Sequence, residues 1–167
     1  MENNSNPEGF VSAVIERIKK DTGYRAVMSR ADNPAFESAV WEHLIPYCNI
    51  ENDYERIPFA VIGAAIARIR PEANGQSKLG EAFRGICKNE DDREREGRRF
   101  RRLISCESSL ELCTLLRPVL QYLASNGAAF DYAALLKDVL YWNRKTRLAW
   151  TVQFYGKIAS GEEEAES

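Results

Sequence analysis

Apolar residues recur every three to four positions along almost the whole chain, the spacing of one face of an α-helix. Phe10, Val11, Val14, Ile15 and Ile18 form the first such stripe, which stops before Gly23. A short segment from Tyr24 to Ala31 leads to Asn33-Pro34, the pattern of a cap followed by proline at the first helical position. Phe36, Val40, Trp41 and Leu44 then predict a helix closed near Pro46. Residues 54–69 predict another, in which Pro58 is tolerable only in the first turn. PEANGQSKLG, residues 71–80, is the clearest loop, and the short segment LGEAFRGIC follows it.

The second half reads the same way. Phe100, Leu103 and Ile104 give an apolar face to a charged segment starting near Asp92. Ser108-x-x-Glu111 matches a capping box ahead of LCTLLRPVLQYLAS, and Asn126-Gly127 supplies the stop. Pro118 inside that pattern should kink or divide it. Asp131 is placed to cap YAALLKDVLYW, and a last helix is expected from about Asn143 to Ile158. No segment reads as a strand. The expected architecture is all-α, two small helical bundles joined across the loop-rich residues 71–92: 1–88, then 89–160. The acidic tail 161–167, GEEEAES, is expected to be solvated.

Composition changes this picture little. Of 167 residues, 44% are apolar and 17 are aromatic, enough for a sizeable core and too much for a disordered linker. MENNSNPEGF has neither the basic region nor the apolar run of a signal peptide. The longest apolar stretch, Ile57 to Ala67, is too short for a membrane core that needs about 20 residues. Cys48, Cys87, Cys106 and Cys113 form no C-x-x-C and read as free core thiols. Together these predict a soluble, cytoplasmic protein with no membrane partner.

The search for chemistry finds no catalytic constellation. The single histidine, His43, has no patterned serine or cysteine nucleophile and reads as structural or surface-lying. Asp91 and Asp92 are adjacent, so a helix would point them about 100° apart; they suit a helix start better than a metal. No phosphate-binding glycine loop, dinucleotide fingerprint or nucleophile elbow is present. The expectation is a protein that is not an enzyme and has no metal site or cofactor.

Charge carries the positive signal. The formal net charge is only −2, yet arginine outnumbers lysine 16 to 7 and the charges are segregated. Residues 1–92 hold 11 basic and 15 acidic groups, residues 93–160 hold 12 and 6, and the tail holds four glutamates. In DDREREGRRFRRLI, a helical wheel sets Arg95, Arg98, Arg101 and Arg102 opposite Phe100, Leu103 and Ile104, with Arg99 at the border. Pairing with Glu94 and Glu96 would make this an ordinary solvated face, but no acid follows Glu96 until Glu107. Unpaired arginines on one face suit a polyanion, because guanidinium forks fit phosphate oxygens. Arg144 and Lys145, with Arg147, open the last helix, where cations oppose the helix dipole and invite a phosphate. Arg147 falls between Trp150 and Phe154 on the wheel and could instead lie over their rings. Arg25 and Arg30 form a third, weaker group.

The order of these motifs resembles a known family. GYRAVMSRAD comes first, then SKLGEAF, GRRFRRLI, LLRPVL and FDYAALLKDVLYWNRKTRLAWTVQFY. The run from Gly23 to Tyr155 is similar to the CasB family, the small subunit of the type I-E CRISPR surveillance complex Cascade, most strongly from Leu79 onward. The resemblance implies a two-bundle, non-catalytic subunit present in more than one copy. Its partners would be the Cascade backbone and large subunits, guide RNA and target DNA, whose R-loop a basic surface helps to hold. By position, Arg99 and Arg102 match the basic residues of the family's R-R-x-x-x-L-I helix, and Arg144, Lys145 and Arg147 its basic run after tryptophan. Arg25 and Arg30 fall in its N-terminal basic strip. The sequence departs in the acids of NEDDRERE and in its acidic tail. A helical protein–protein adaptor is the alternative from the residues alone, and a carboxylate-metal nuclease using Asp91 and Asp92 a third.

Overall fold

Local side-chain hydrogen bonds start most of the helices in the computed structural model, which describes residues 5–156. The Asn6 side chain accepts from the Gly9 N–H and opens α1, Pro7–Lys20, whose buried face is the predicted stripe Phe10, Val11, Val14, Ile15 and Ile18. Asp21 does the same for α2, Thr22–Met28, by accepting from the Tyr24 N–H. The helix expected at 36–44 is shorter and tighter. Asn33 accepts from the Ala35 N–H in a local turn, a 3₁₀ turn follows over Glu37–Val40, and α3 is a single turn, Trp41–Leu44. Asn33 therefore caps a turn rather than a helix, the competing use of a short polar side chain.

The long helix α4, Asp53–Ile69, begins at Asn52, so Pro58 lies in its second turn and not its first. The carbonyl left without a partner belongs to Tyr54, an exposed residue that water reaches. Every residue from Pro58 to Ala67 is buried, and that burial outweighs the lost bond. After a loop come α5, Leu79–Gly85, and α6, Glu90–Ile104, the latter capped by Asn89. Ser108 opens α7, Ser109–Ser125, which Pro118 does not divide. That proline is exposed, on the side where its freed carbonyl can be hydrated. Asp131 caps α8, Tyr132–Leu140, and Asn143 caps α9, Arg144–Tyr155. α9 ends at Tyr155, short of the expected Ile158, because Gly156 takes a positive φ of 74° that a helix cannot continue through; residues 157–167, with the acidic tail, lie outside the described residues. The fold is all-α; among the described residues the one strand-like feature is an isolated bridge between Ser77 and Phe130.

Two packing centres organise these helices. α4 is surrounded by α1, α2, α7 and α8, with Phe10 set edge-on to Phe59 at 5.1 Å. The second centre joins α5, α6 and α9 through Phe83, Phe100 and Phe154, all buried. α5 lies so close to α9 that a Cβ on Gly80 would sit 2.4 Å from the Trp150 carbonyl oxygen. The division at residue 88 is a proposal about organisation. Packing of α4 on α7 and α8, and of α5 on α9, runs across it.

Asp131 ties the loop before α5 to α8. It accepts from the Ala134 N–H at 3.0 Å and the Asn74 amide at 2.8 Å, and Lys78 Nζ lies 3.2 Å away. Burial alone would raise its pKa, but the Ala134 N–H, Asn74 and Lys78 together hold it below the ordinary carboxylate range. A depressed carboxylate stabilises the fold above its unfolded pKa, and that contribution is lost as pH falls through the folded value. Asp131→Asn is therefore expected to flatten part of the loss of unfolding free energy between about pH 5 and pH 3, measured by urea titration at each pH. Gly80→Ala is expected to cost about 1–3 kcal/mol in the same assay, because backbone, not a flexible side chain, must give way.

Candidate nucleic-acid interface

The arginine face of α6 is aimed by what the opposite face buries. Phe100 and Leu103 are 0% and 1% exposed, which fixes the rotation of the helix and turns Arg98, Arg99, Arg101 and Arg102 outward. These four side chains do not form one undifferentiated patch. Arg99 and Arg102 line a shallow cleft with Leu115, Pro118 and Val119 of α7. Arg101 leans the other way, its Nη1 donating to the Tyr155 hydroxyl of α9 at 3.4 Å. Arg98 and Arg102 pair with no carboxylate among the described residues, and neither does Arg101.

Glu96 is the acid that matters here, and its side chain is only 1% exposed. One carboxylate oxygen, Oε1, accepts from the Tyr122 hydroxyl at 2.6 Å and from Arg95 Nε at 3.1 Å. The other, Oε2, makes no hydrogen bond and stands 3.6 Å from Arg99 Nε. The Arg99 guanidinium lies over the Tyr122 ring, 4.1 Å from its centroid. Accepting by Glu96 also raises the Tyr122 pKa, with burial as the next cause. Arg95 is further engaged by Asp92 at 2.9 Å, so it belongs to this ion-pair network and not to the open face. Sequence reading placed Glu96 among solvated partners. Its position four residues before Phe100, on the same helical stripe, was the available signal for burial. Tyr122 had no local signal, since its role arises only when α7 packs on α6.

The second cluster, on α9, divides in two. Arg144 and Lys145 are exposed in the first turn, where Asn143 accepts from the Thr146 N–H. Their own backbone N–H groups precede the first intrahelical bond. Arg147 is half-buried and, among the described residues, lies over no ring. Its Nε donates to the Ile104 carbonyl at 2.7 Å, at the end of α6. Trp142 donates to the Cys106 carbonyl at 2.8 Å. These two bonds tie the end of α6 and the residues just after it to the start of α9 and the residues just before it, while Arg101 is directed to Tyr155 at the other end of α9. The end of α6 is thus joined to the start of α9, about 40 residues further along the sequence.

The third group lies on and after α2. Arg30 lies over the exposed Phe36 ring at 5.2 Å, and Arg25 is half-buried on α2. Nearby Asp32, 5% exposed, pairs with Arg68 at 3.0 Å and with Arg117 of α7 at 3.6 Å. Arg117 is a basic residue on this side that sequence reading did not single out.

The remaining candidates have structural surroundings. His43 meets Tyr24 edge-on at 5.0 Å. Asp91 and Asp92 are first-turn acids of α6, and Asp92 is held below the usual carboxylate range chiefly by accepting from the Lys88 N–H. All four cysteines are free, and burial pushes the Cys48 and Cys113 thiols up to about 12. Among the described residues, no group of His, Cys, Asp and Glu is arranged to hold a metal ion, and no helix is long and apolar enough to cross a membrane.

An all-α fold whose α6 arginines are turned outward, three of them with no carboxylate partner among the described residues, defines a class of helical proteins with a basic face. Residues 24–155 match the family model described as CRISPR-associated protein Cse2, and the chain belongs to that family. The crystal structure of CasB from Thermus thermophilus has the same fold. Its TM-score is 0.68 at 21% identity, over 90% of this chain and 98% of that one. No curated protein matches the chain. Family membership implies a subunit of the Cascade complex.

The junction makes a contrast that can be measured. Arg147→Ala removes a bond from a charged donor to a half-buried helix end and is expected to lower unfolding free energy by about 1.5–3 kcal/mol. Arg102→Ala, which removes no such bond, is expected to stay within about 0.5 kcal/mol. Urea denaturation of the two variants checks both.

Proposed function

We propose that the chain is a non-catalytic, cytoplasmic subunit of type I-E Cascade that holds the sugar–phosphate backbone of guide RNA and target DNA and so stabilises the R-loop. The observation that carries this reading is the junction of α6 with α9. Along the end of α6 and the start of α9, Arg98, Arg101, Arg102, Arg144 and Lys145 are exposed with no carboxylate partner among the described residues. Like charges three and four positions apart on one helix, as Arg98 is from Arg101 and Arg102, repel one another, and a polyanion relieves the repulsion. Arg99 joins them from its seat on Tyr122, and Arg147 contributes by holding the junction together. Arg25 and Arg30 are proposed as a separate contact along the same nucleic acid.

In such a complex, base pairing reads the sequence, and strand exchange is nearly balanced, so a few backbone contacts tip it. No base-reading residues are needed and affinity for the isolated strand can be modest. The backbone and large subunits, and further copies of this chain, are the proposed protein neighbours. Family membership supports that assignment. A purely protein-binding adaptor is the second reading. It is favoured by Leu148, Val152 and Tyr155, which expose an apolar stripe on α9 at helical spacing.

The test replaces Arg98, Arg101 and Arg102 by alanine in the assembled complex. Helicity and incorporation should be unchanged. Retention of target DNA should weaken, and the slope of log affinity against log salt should shrink by about 0.7–0.9 for each phosphate that is no longer neutralised. Unchanged retention by a correctly assembled triple variant would leave the adaptor reading standing.

A further inference from the structure

We infer that Tyr122 is a positioning residue for Arg99, holding its guanidinium over the ring so that its free Nη groups meet a phosphate; the inference rests on the proposed nucleic-acid contact. Arg99 is constrained in two ways. Its guanidinium carbon lies over the Tyr122 ring, 4.1 Å from the centroid, and its Nε is drawn toward Glu96 Oε2 at 3.6 Å. That separation is too long for a hydrogen bond, so the attraction orients the group without consuming a donor. The two Nη atoms make no hydrogen bond among the described residues, and the side chain is 46% exposed. The fork is therefore both held and open.

The support beneath Arg99 is itself fixed. Glu96 cannot swing away, because its Oε1 is bound by the Tyr122 hydroxyl at 2.6 Å and by Arg95 Nε at 3.1 Å, inside a buried site. Tyr122 thus acts twice, through its ring on Arg99 and through its hydroxyl on the acid that steers Arg99. Arg95 takes the closer share of the Glu96 charge, which leaves the cation on Arg99 less compensated. A freely rotating arginine loses much freedom when it grips a phosphate, and a held one loses less. Arg98 and Arg102 of the same face have no comparable seat among the described residues. Arg99 is consequently the pre-formed contact of the face, and the others close on a strand already registered.

A double-mutant cycle separates positioning from mere packing. Complexes reconstituted with each full-length variant are titrated with labelled target DNA. Tyr122→Leu is expected to weaken retention by about two- to five-fold, and to have almost no effect when Arg99→Ala is already present. Tyr122→Phe, which keeps the ring, should stay within about twofold of the parent. Arg99→Lys should be as weak as Arg99→Ala, because an ammonium lacks the planar fork. An equal loss from Tyr122→Leu in both backgrounds would overturn the inference, as would full affinity in Arg99→Lys or a Tyr122→Phe variant as weak as Tyr122→Leu. If Arg98, Arg101 and Arg102 prove necessary while Tyr122→Leu is silent, this inference alone fails. If none of those arginines matters, the proposed contact with nucleic acid fails with it.

Discussion

Phe100 of α6 stacks on Phe154 of α9 with ring centroids 4.8 Å apart, and Phe83 of α5 meets the Phe100 ring edge-on at 5.7 Å. Burying one such side chain is worth about 1.5–3 kcal/mol, so rotating α6 away from this seam would be strongly unfavourable. The rotation of α6 decides everything on its outer side. Four arginines within five positions can face outward together only because the residue among them, Phe100, is held inward. The same seam sets α9 beside α6, where Arg147 reaches the Ile104 carbonyl and ties the start of α9 to the end of α6. A hydrophobic contact thus determines an electrostatic surface.

The net charge of −2 hides this arrangement, because charge is separated by position and by depth. Acids near the start of α6 are absorbed by its first turn and by Arg93 and Arg95. Glu96 is withdrawn from solvent and engaged by Arg95, Tyr122 and Arg99. Asp32, likewise buried, is shared by Arg68 and Arg117. What remains open at the end of α6 and the start of α9 is cationic. Burying the acids and exposing the arginines lets a nearly neutral chain present a basic face.

Much of the fold was legible because its helices are started by local chemistry. Asn89, Ser108, Asp131 and Asn143 each cap a helix where the sequence places a short polar side chain before an amphipathic run. The prolines were less legible, since their tolerance depends on burial elsewhere: the apolar run around Pro58 carries α4 through a missing bond. Asn33 misled because the same side chain serves turns and helices equally well. In the candidate site, the outward arginines followed from periodicity. The assignments of Arg147 and Tyr122 did not, because both depend on partners in other helices, at Ile104 and at Glu96. Periodicity reports which way a side chain points from its own helix; it does not report what another helix brings to meet it.

The most direct measurement is a reconstruction, by electron cryomicroscopy, of a Cascade complex carrying this chain with guide RNA and target DNA bound. The account predicts backbone phosphates against Arg98, Arg101 and Arg102, with Arg144 and Lys145 on the same strand path and Arg99 still lying over Tyr122. Nucleic acid running elsewhere, with the end of α6 packed against a protein neighbour or facing open solvent, would contradict it.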